Sequence, residues 1–206
     1  MRRSEQHGLS RQERRASEHR FRKEKVRVFP SPSAIFRYLK AFHDPKQEER
    51  RQERQAFIPI PNRNLQGLAE VNKWLLSFHQ ANHIHKTATL DMDATLIETN
   101  KADALYCYKG FKSYKPLNTW WSEQGMIVHS EFRDGNVPAG FEQLRVLKEA
   151  LSGLPDSVTK VYLRSDTAGY QHELLRYCAQ GKDERFGRIE FAIGCDVTLA
   201  FTRAVS

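Results

Sequence analysis

Apolar and polar residues alternate along residues 87–100, TATLDMDATLIETN. Ala88, Leu90, Met92, Ala94 and Leu96 share one parity, and Thr87, Thr89, Asp91, Asp93 and Thr95 the other. Side chains on a strand alternate faces, so the pattern predicts a half-buried strand with two carboxylates on its polar face. Ionised groups beside a core are costly unless they are paired or bind a metal. The pair is therefore either neutralised by cations or forms a site that holds a cation or attacks a phosphate.

The rest of the chain supplies elements around that strand. Ser33 can cap a helix running to about residue 43, with Ile35, Phe36, Leu39 and Phe42 on one face. Residues 44–55 are a charge run, read as a solvated helix or a linker. A second helix is expected over 65–80, where Leu65, Leu68, Val71, Leu75 and Phe78 recur at helical spacing. Trp74 and Phe78 read as core. Residues 105–117 interleave aromatics with lysines and read as one or two strands; further strands follow through residue 121 and over 125–132. A helix is expected over 139–152, with Phe141, Leu144, Leu147 and Leu151 inward. Residues 160–164 (KVYLR) read as a strand buried on both faces. The turn SDTAG at 165–169 leads into a helix with Tyr170, Leu174, Tyr177 and Cys178 inward, and 189–193 is a last strand. The sum is α/β with a mixed sheet: an antiparallel meander, then a strand–helix–strand unit crossing over right-handed.

Charge divides the chain unevenly. Residues 1–55 hold 16 Lys/Arg against 8 Asp/Glu, and the remainder 17 against 17, so the whole excess of +8 lies in the first quarter. Such a segment either attracts nucleic-acid phosphates or is a solvated tail. Residues 1–28 read as basic and disordered, 29–84 as a helical N-terminal region, and 85–206 as the α/β domain. No apolar run approaches the ~18 residues of a membrane span, and no signal-peptide core is present, so a cytoplasmic protein is expected. Cys107, Cys178 and Cys195 are widely spaced and read as free thiols.

Asp166 ends one strand and opens a helix, where it serves either as a helix cap or as a ligand at the carboxyl end of the sheet. If its strand neighbours 87–100, its carboxylate meets Asp93 and Asp91, an oxygen donor set suited to Mg²⁺ or Mn²⁺ and to phosphoryl transfer on nucleic acid. Lys109, Lys112 and Lys115 either follow a DNA backbone or protect a strand edge. Arg164 either binds phosphate or pairs with a nearby acid. His83 and His85 lack partners at ligand spacing.

LDMDATLIET, YCYKGFKSYKPL, HSEFRDGNVPAG and YLRSDTAGYQHELLRYC, in that order, resemble the DDE-type transposases of bacterial insertion sequences (DDE domain group 1), from about residue 29 to the end. The resemblance implies an RNase H-like core of mixed sheet flanked by helices and preceded by a small, basic helical segment. It implies Asp93 and Asp166 as the first two catalytic, metal-binding carboxylates, with Asp91 in support, and two Mg²⁺ (or Mn²⁺) ions. The implied activity is cleavage and joining of double-stranded DNA at transposon ends by a nucleoid-associated protein, with a homodimer as the assembly. The family's third acid is a Glu on a helix beyond the last core strand; no residue here matches it. The expectation is therefore a truncated, weakly active or inactive form. A non-catalytic DNA-binding remnant is one alternative. Another follows from LDMDATLIET, which also resembles the first motif of haloacid-dehalogenase-type phosphohydrolases. Asp91 would then be the nucleophile, Asp93 the general acid, Ser165 the second-motif hydroxyl and Asp196 the acidic metal motif. That family has Gly where Ala94 stands.

Overall fold

The computed structural model describes residues 29–52, 55–197 and 202–203. The basic segment 1–28 lies outside the described residues. Contacts divide the chain into two units, Met1–His43 and Asp44–Ser206, taken separately below.

In the first unit, helix α1 spans Pro32–Lys40. Its cap is Ser31 rather than Ser33: the Ser31 Oγ accepts from the Ala34 amide, and Pro32 occupies the first helical position, where its missing N–H costs nothing. Ile35, Phe36 and Leu39 on the expected face are exposed.

The second unit begins with a short helix, α2 (Pro45–Glu48), capped by the Asp44 carboxylate, and a long one, α3 (Arg63–Asn82). Strand β1 (Thr87–Ala94) follows, then β2 (Ile97–Glu98), β3 (Leu105–Tyr106), β4 (Lys112–Tyr114), β5 (Leu117–Trp121) and β6 (Met126–Glu131). Helix α4 (Gln143–Gly153), β7 (Lys160–Ser165), a 3₁₀ turn (Thr167–Gly169), α5 (His172–Ala179) and β8 (Glu190–Ile193) complete it.

Five strands form one sheet in the order β6-β5-β1-β7-β8. The meander β1-β5-β6 is antiparallel, and β7 and β8 join β1 parallel. This is the mixed sheet flanked by helices of an RNase H-like domain. Strands β2, β4 and β3 form a separate three-stranded sheet, inserted between β1 and β5.

One face of the main sheet carries the core. Ala88, Leu90 and Met92 of β1, Leu117 and Trp121 of β5, and Val161 and Leu163 of β7 pack with Val146, Leu147 and Leu151 of α4 and Leu174 and Cys178 of α5. Burying each such side chain contributes about 1.5–3 kcal/mol against leaving it in water. Among the described residues the other face stays open. Trp120 and Ile127 on it are 40% exposed, and β7 alternates buried with exposed residues instead of being covered on both faces. Helix α3 also departs from expectation. Leu76 and Gln80 are its buried residues, while Leu65, Leu68, Val71, Trp74, Leu75 and Phe78 face outward. Asn72 fixes that orientation, its Nδ2 donating to the carbonyls of Ile127 and Val128 on β6 at 3.1 and 3.0 Å.

The HSEFRDG stretch fastens the two sheets together. Arg133, fully buried, donates from Nε to Glu131 Oε1 at 2.8 Å, and Glu131 Oε2 accepts from Arg145 Nη2 of α4. Asp134 pairs with Arg51 and bridges to Tyr114 of β4. Gly135 lies so close to Ser113 that any Cβ would come within 2.5 Å of its Oγ, which requires glycine there. Cys107, Cys178 and Cys195 are free thiols, and no described helix is long and apolar enough to cross a membrane.

Candidate functional site

Register decides what surrounds each acid. β1 and β7 run parallel with Asp91 beside Arg164 and Met92 beside Ser165. The Ser165 hydroxyl donates to the Met92 carbonyl at 3.1 Å, which holds the two strand ends together. The paired register ends there, with Asp93 and Asp166 the next residues along at the carboxyl end of the two strands.

Asp91 is occupied. Arg164 grips it from the neighbouring strand, Nε to Oδ1 at 2.5 Å and Nη2 to Oδ2 at 2.6 Å. The Ser122 hydroxyl donates to Oδ2 at 2.7 Å. The guanidinium holds the Asp91 carboxyl below the usual aspartate range, with Ser122 adding to the effect against partial burial. Ser122 was not among the residues singled out from the sequence; its position just after β5 carries no motif, and only the register reveals it.

Asp93 lies on the same face and is exposed, and its side chain makes no hydrogen bond or ion pair to any described residue. Asp166 is also exposed. Its Oδ1 accepts from the Ala168 amide at 3.0 Å, so it caps the 3₁₀ turn and keeps its second oxygen outward. The cap and the sheet-edge readings of this residue are thus compatible. Gly194, at the end of β8, lies against the backbone of Asp166 and Thr167, where an added Cβ would come within 3.2 Å of the Thr167 nitrogen. Two carboxylates without cationic partners among the described residues fit Mg²⁺, which is commonly held by one or two carboxylates with water and substrate phosphate completing the shell. Among the described residues no cluster of three or more His, Cys, Asp or Glu side chains has metal-binding geometry. His83 instead packs its ring against His79, with centroids 4.7 Å apart.

The remaining positions divide by exposure. Lys109 is exposed, with its ammonium 5.8 Å from the Tyr108 ring centre. Lys112 is half-buried and donates to the Ala102 carbonyl at 2.7 Å. Lys115 is only 4% exposed and sits 5.6 Å from the Tyr108 ring centre, so it cannot reach a phosphate at the surface. Arg164 is committed to Asp91. The phosphohydrolase alternative fails on the same contact: both oxygens of its intended nucleophile, Asp91, are held by a guanidinium.

The transposase DDE domain group 1 pattern matches residues 22–205. The chain belongs to this DDE transposase family. No curated protein and no solved structure matches it. In this chain β1 lies at the centre of the mixed sheet, flanked by β5 and β7.

Proposed function

We propose that this transposase-family chain binds double-stranded DNA at the ends of an insertion sequence, with Asp93 and Asp166 as the catalytic carboxylates that hold Mg²⁺ or Mn²⁺. The observation that supports this reading is the parallel β1–β7 register, which pairs Asp91 with Arg164 and ends at Met92 beside Ser165, with Asp93 and Asp166 the next residues along. When bound, the divalent ions supply Lewis-acid activation of water or a 3′-hydroxyl and stabilise the leaving oxygen of a phosphodiester. The protein's part is to fix the carboxylates. The Ser165–Met92 bond holds the strand ends, and the Ala168 amide orients Asp166. Asp91 acts as a positioning residue: by neutralising Arg164 it keeps a guanidinium from competing for Asp93. Lys109, in the turn between β3 and β4, and Lys112, on β4 of the inserted sheet, are the proposed phosphate contacts. With two acids and no third among the described residues, activity of the chain alone is weak, and it works in the cytoplasm on the nucleoid.

The test is nicking of a supercoiled plasmid carrying the DNA that flanks the gene, with Mn²⁺ present. Weak nicking by the wild type, lost in Asp93→Asn and in Asp166→Asn and only reduced in Asp91→Asn, supports the reading. Nicking that survives both changes, or that disappears only with Asp91→Asn, contradicts it and favours a non-catalytic DNA-binding role for the edge acids.

A further inference from the structure

The outward face of α3 is the largest feature that the DNA reading leaves unexplained. Leu68, Val71, Leu75 and Phe78 follow a 3-4-3 spacing, the seam of a two-stranded coiled coil. Val71 is 52% exposed, Phe78 59%, and Trp74, stacked on Phe78 with ring centres 5.7 Å apart, 63%. The helix cannot roll to bury them. Its opposite face is already fixed by Leu76, by the Asn72 bonds to β6, and by Gln80, whose Nε2 donates to the His85 carbonyl at 2.6 Å and to Ser157 Oγ at 2.9 Å. An apolar stripe so displayed on a 20-residue helix marks an interaction surface.

The stripe is complementary to itself. In an antiparallel pair of identical helices, seam positions oppose one another when their numbers share a constant sum. A two-fold axis near residue 73 sets Leu68 against Phe78 of the second copy and Val71 against its Leu75. It also sets Asn64 against Asn82, amide to amide at the two ends, and brings the two Trp74 rings together at the axis. No charged residue falls on the seam. We propose that α3 is the interface of a two-fold symmetric dimer in which two copies of this chain pair their α3 helices antiparallel through Leu68, Val71, Leu75 and Phe78. An isologous contact of this kind closes on itself and does not propagate. The proposal is independent of the catalytic reading.

Sedimentation of the full chain tests it, with far-UV circular dichroism as the check on folding. The wild type sediments as a dimer. Val71→Glu and Leu75→Lys each bury an unpaired charge on the seam and weaken the dimer at least about a hundredfold, giving monomers with unchanged helicity. Mixed together, the two variants restore a dimer, because the proposed register places Glu at 71 of one copy against Lys at 75 of the other. A wild type that stays monomeric at all concentrations, with the stripe covered by another segment of the same chain, overturns the proposal. So does a dimer indifferent to either change, or a failure of the mixed variants to recombine.

Discussion

Asp91 and Asp93 occupy one face of one strand, two residues apart, yet the molecule treats them oppositely. In the middle of the sheet, the parallel neighbour offers Arg164, and Asp91 is consumed by a bidentate ion pair that Ser122 completes. At the rim, β7 is past its last strand residue, and among the described residues neither Asp93 nor Asp166 forms an ion pair. The lesson is that identity and spacing do not distinguish an ion-paired carboxylate from an unpaired one. The cross-strand partner does, because it sets whether charge is neutralised within the fold or left for an ion from solution.

Glu131 extends the comparison to a buried extreme, and perturbing the three acids' surroundings ranks them. The largest stability loss is expected for Arg133→Ala. It leaves the Glu131 carboxylate, 10% exposed, without its buried partner, and removing one member of such a pair typically costs about 3–5 kcal/mol. Chemical denaturation measures it; a loss under about 1 kcal/mol would show that Arg145 alone suffices for Glu131. A smaller effect is expected for Asp91→Asn, a drop in Tm of the order of 2 °C, since the pair is largely solvated. This change also alters pH dependence. The folded-state carboxyl titrates below its unfolded value, so its contribution is complete above about pH 4 and is lost as the pH falls through the depressed folded value. The acid limb of the wild-type stability curve should therefore be steeper than that of Asp91→Asn; identical limbs would place no ion pair there. The smallest effect is expected for Asp93→Asn without metal: no loss of stability, and a slight gain if repulsion from Asp166 is relieved. A loss as large as that of Asp91→Asn would reveal a hidden partner.

Much of this arrangement is legible in the residues. Period-two alternation places β1 with its inner and outer faces correctly, since a strand covered on one side must carry its apolar residues at every second position. The helix over 139–152 appears as Gln143–Gly153 with Leu147 and Leu151 buried as expected. Helix α3 shows where periodicity stops. It marks a helix at 65–80, but an apolar stripe says only that some surface should cover it, not that this chain's core does. The aromatic–lysine stretch 105–117 likewise gave strands, but short-range pattern cannot tell a strand of the main sheet from one in an inserted sheet. The burial of Lys115 is equally invisible in sequence, because its ammonium meets the Tyr108 ring only across the turn at Gly110, whose φ of +84° favours glycine. The Asp91–Arg164 pair was one of two open readings, and parallel register chose between them.

The central claim is most directly tested by a crystal soaked in Mn²⁺ and measured at a wavelength where manganese scatters anomalously. The account predicts a peak about 2 Å from a carboxylate oxygen of both Asp93 and Asp166, with Asp91 still bound to Arg164. A peak seated on Asp91 with Arg164 displaced, or an ion that touches neither Asp93 nor Asp166, would contradict it.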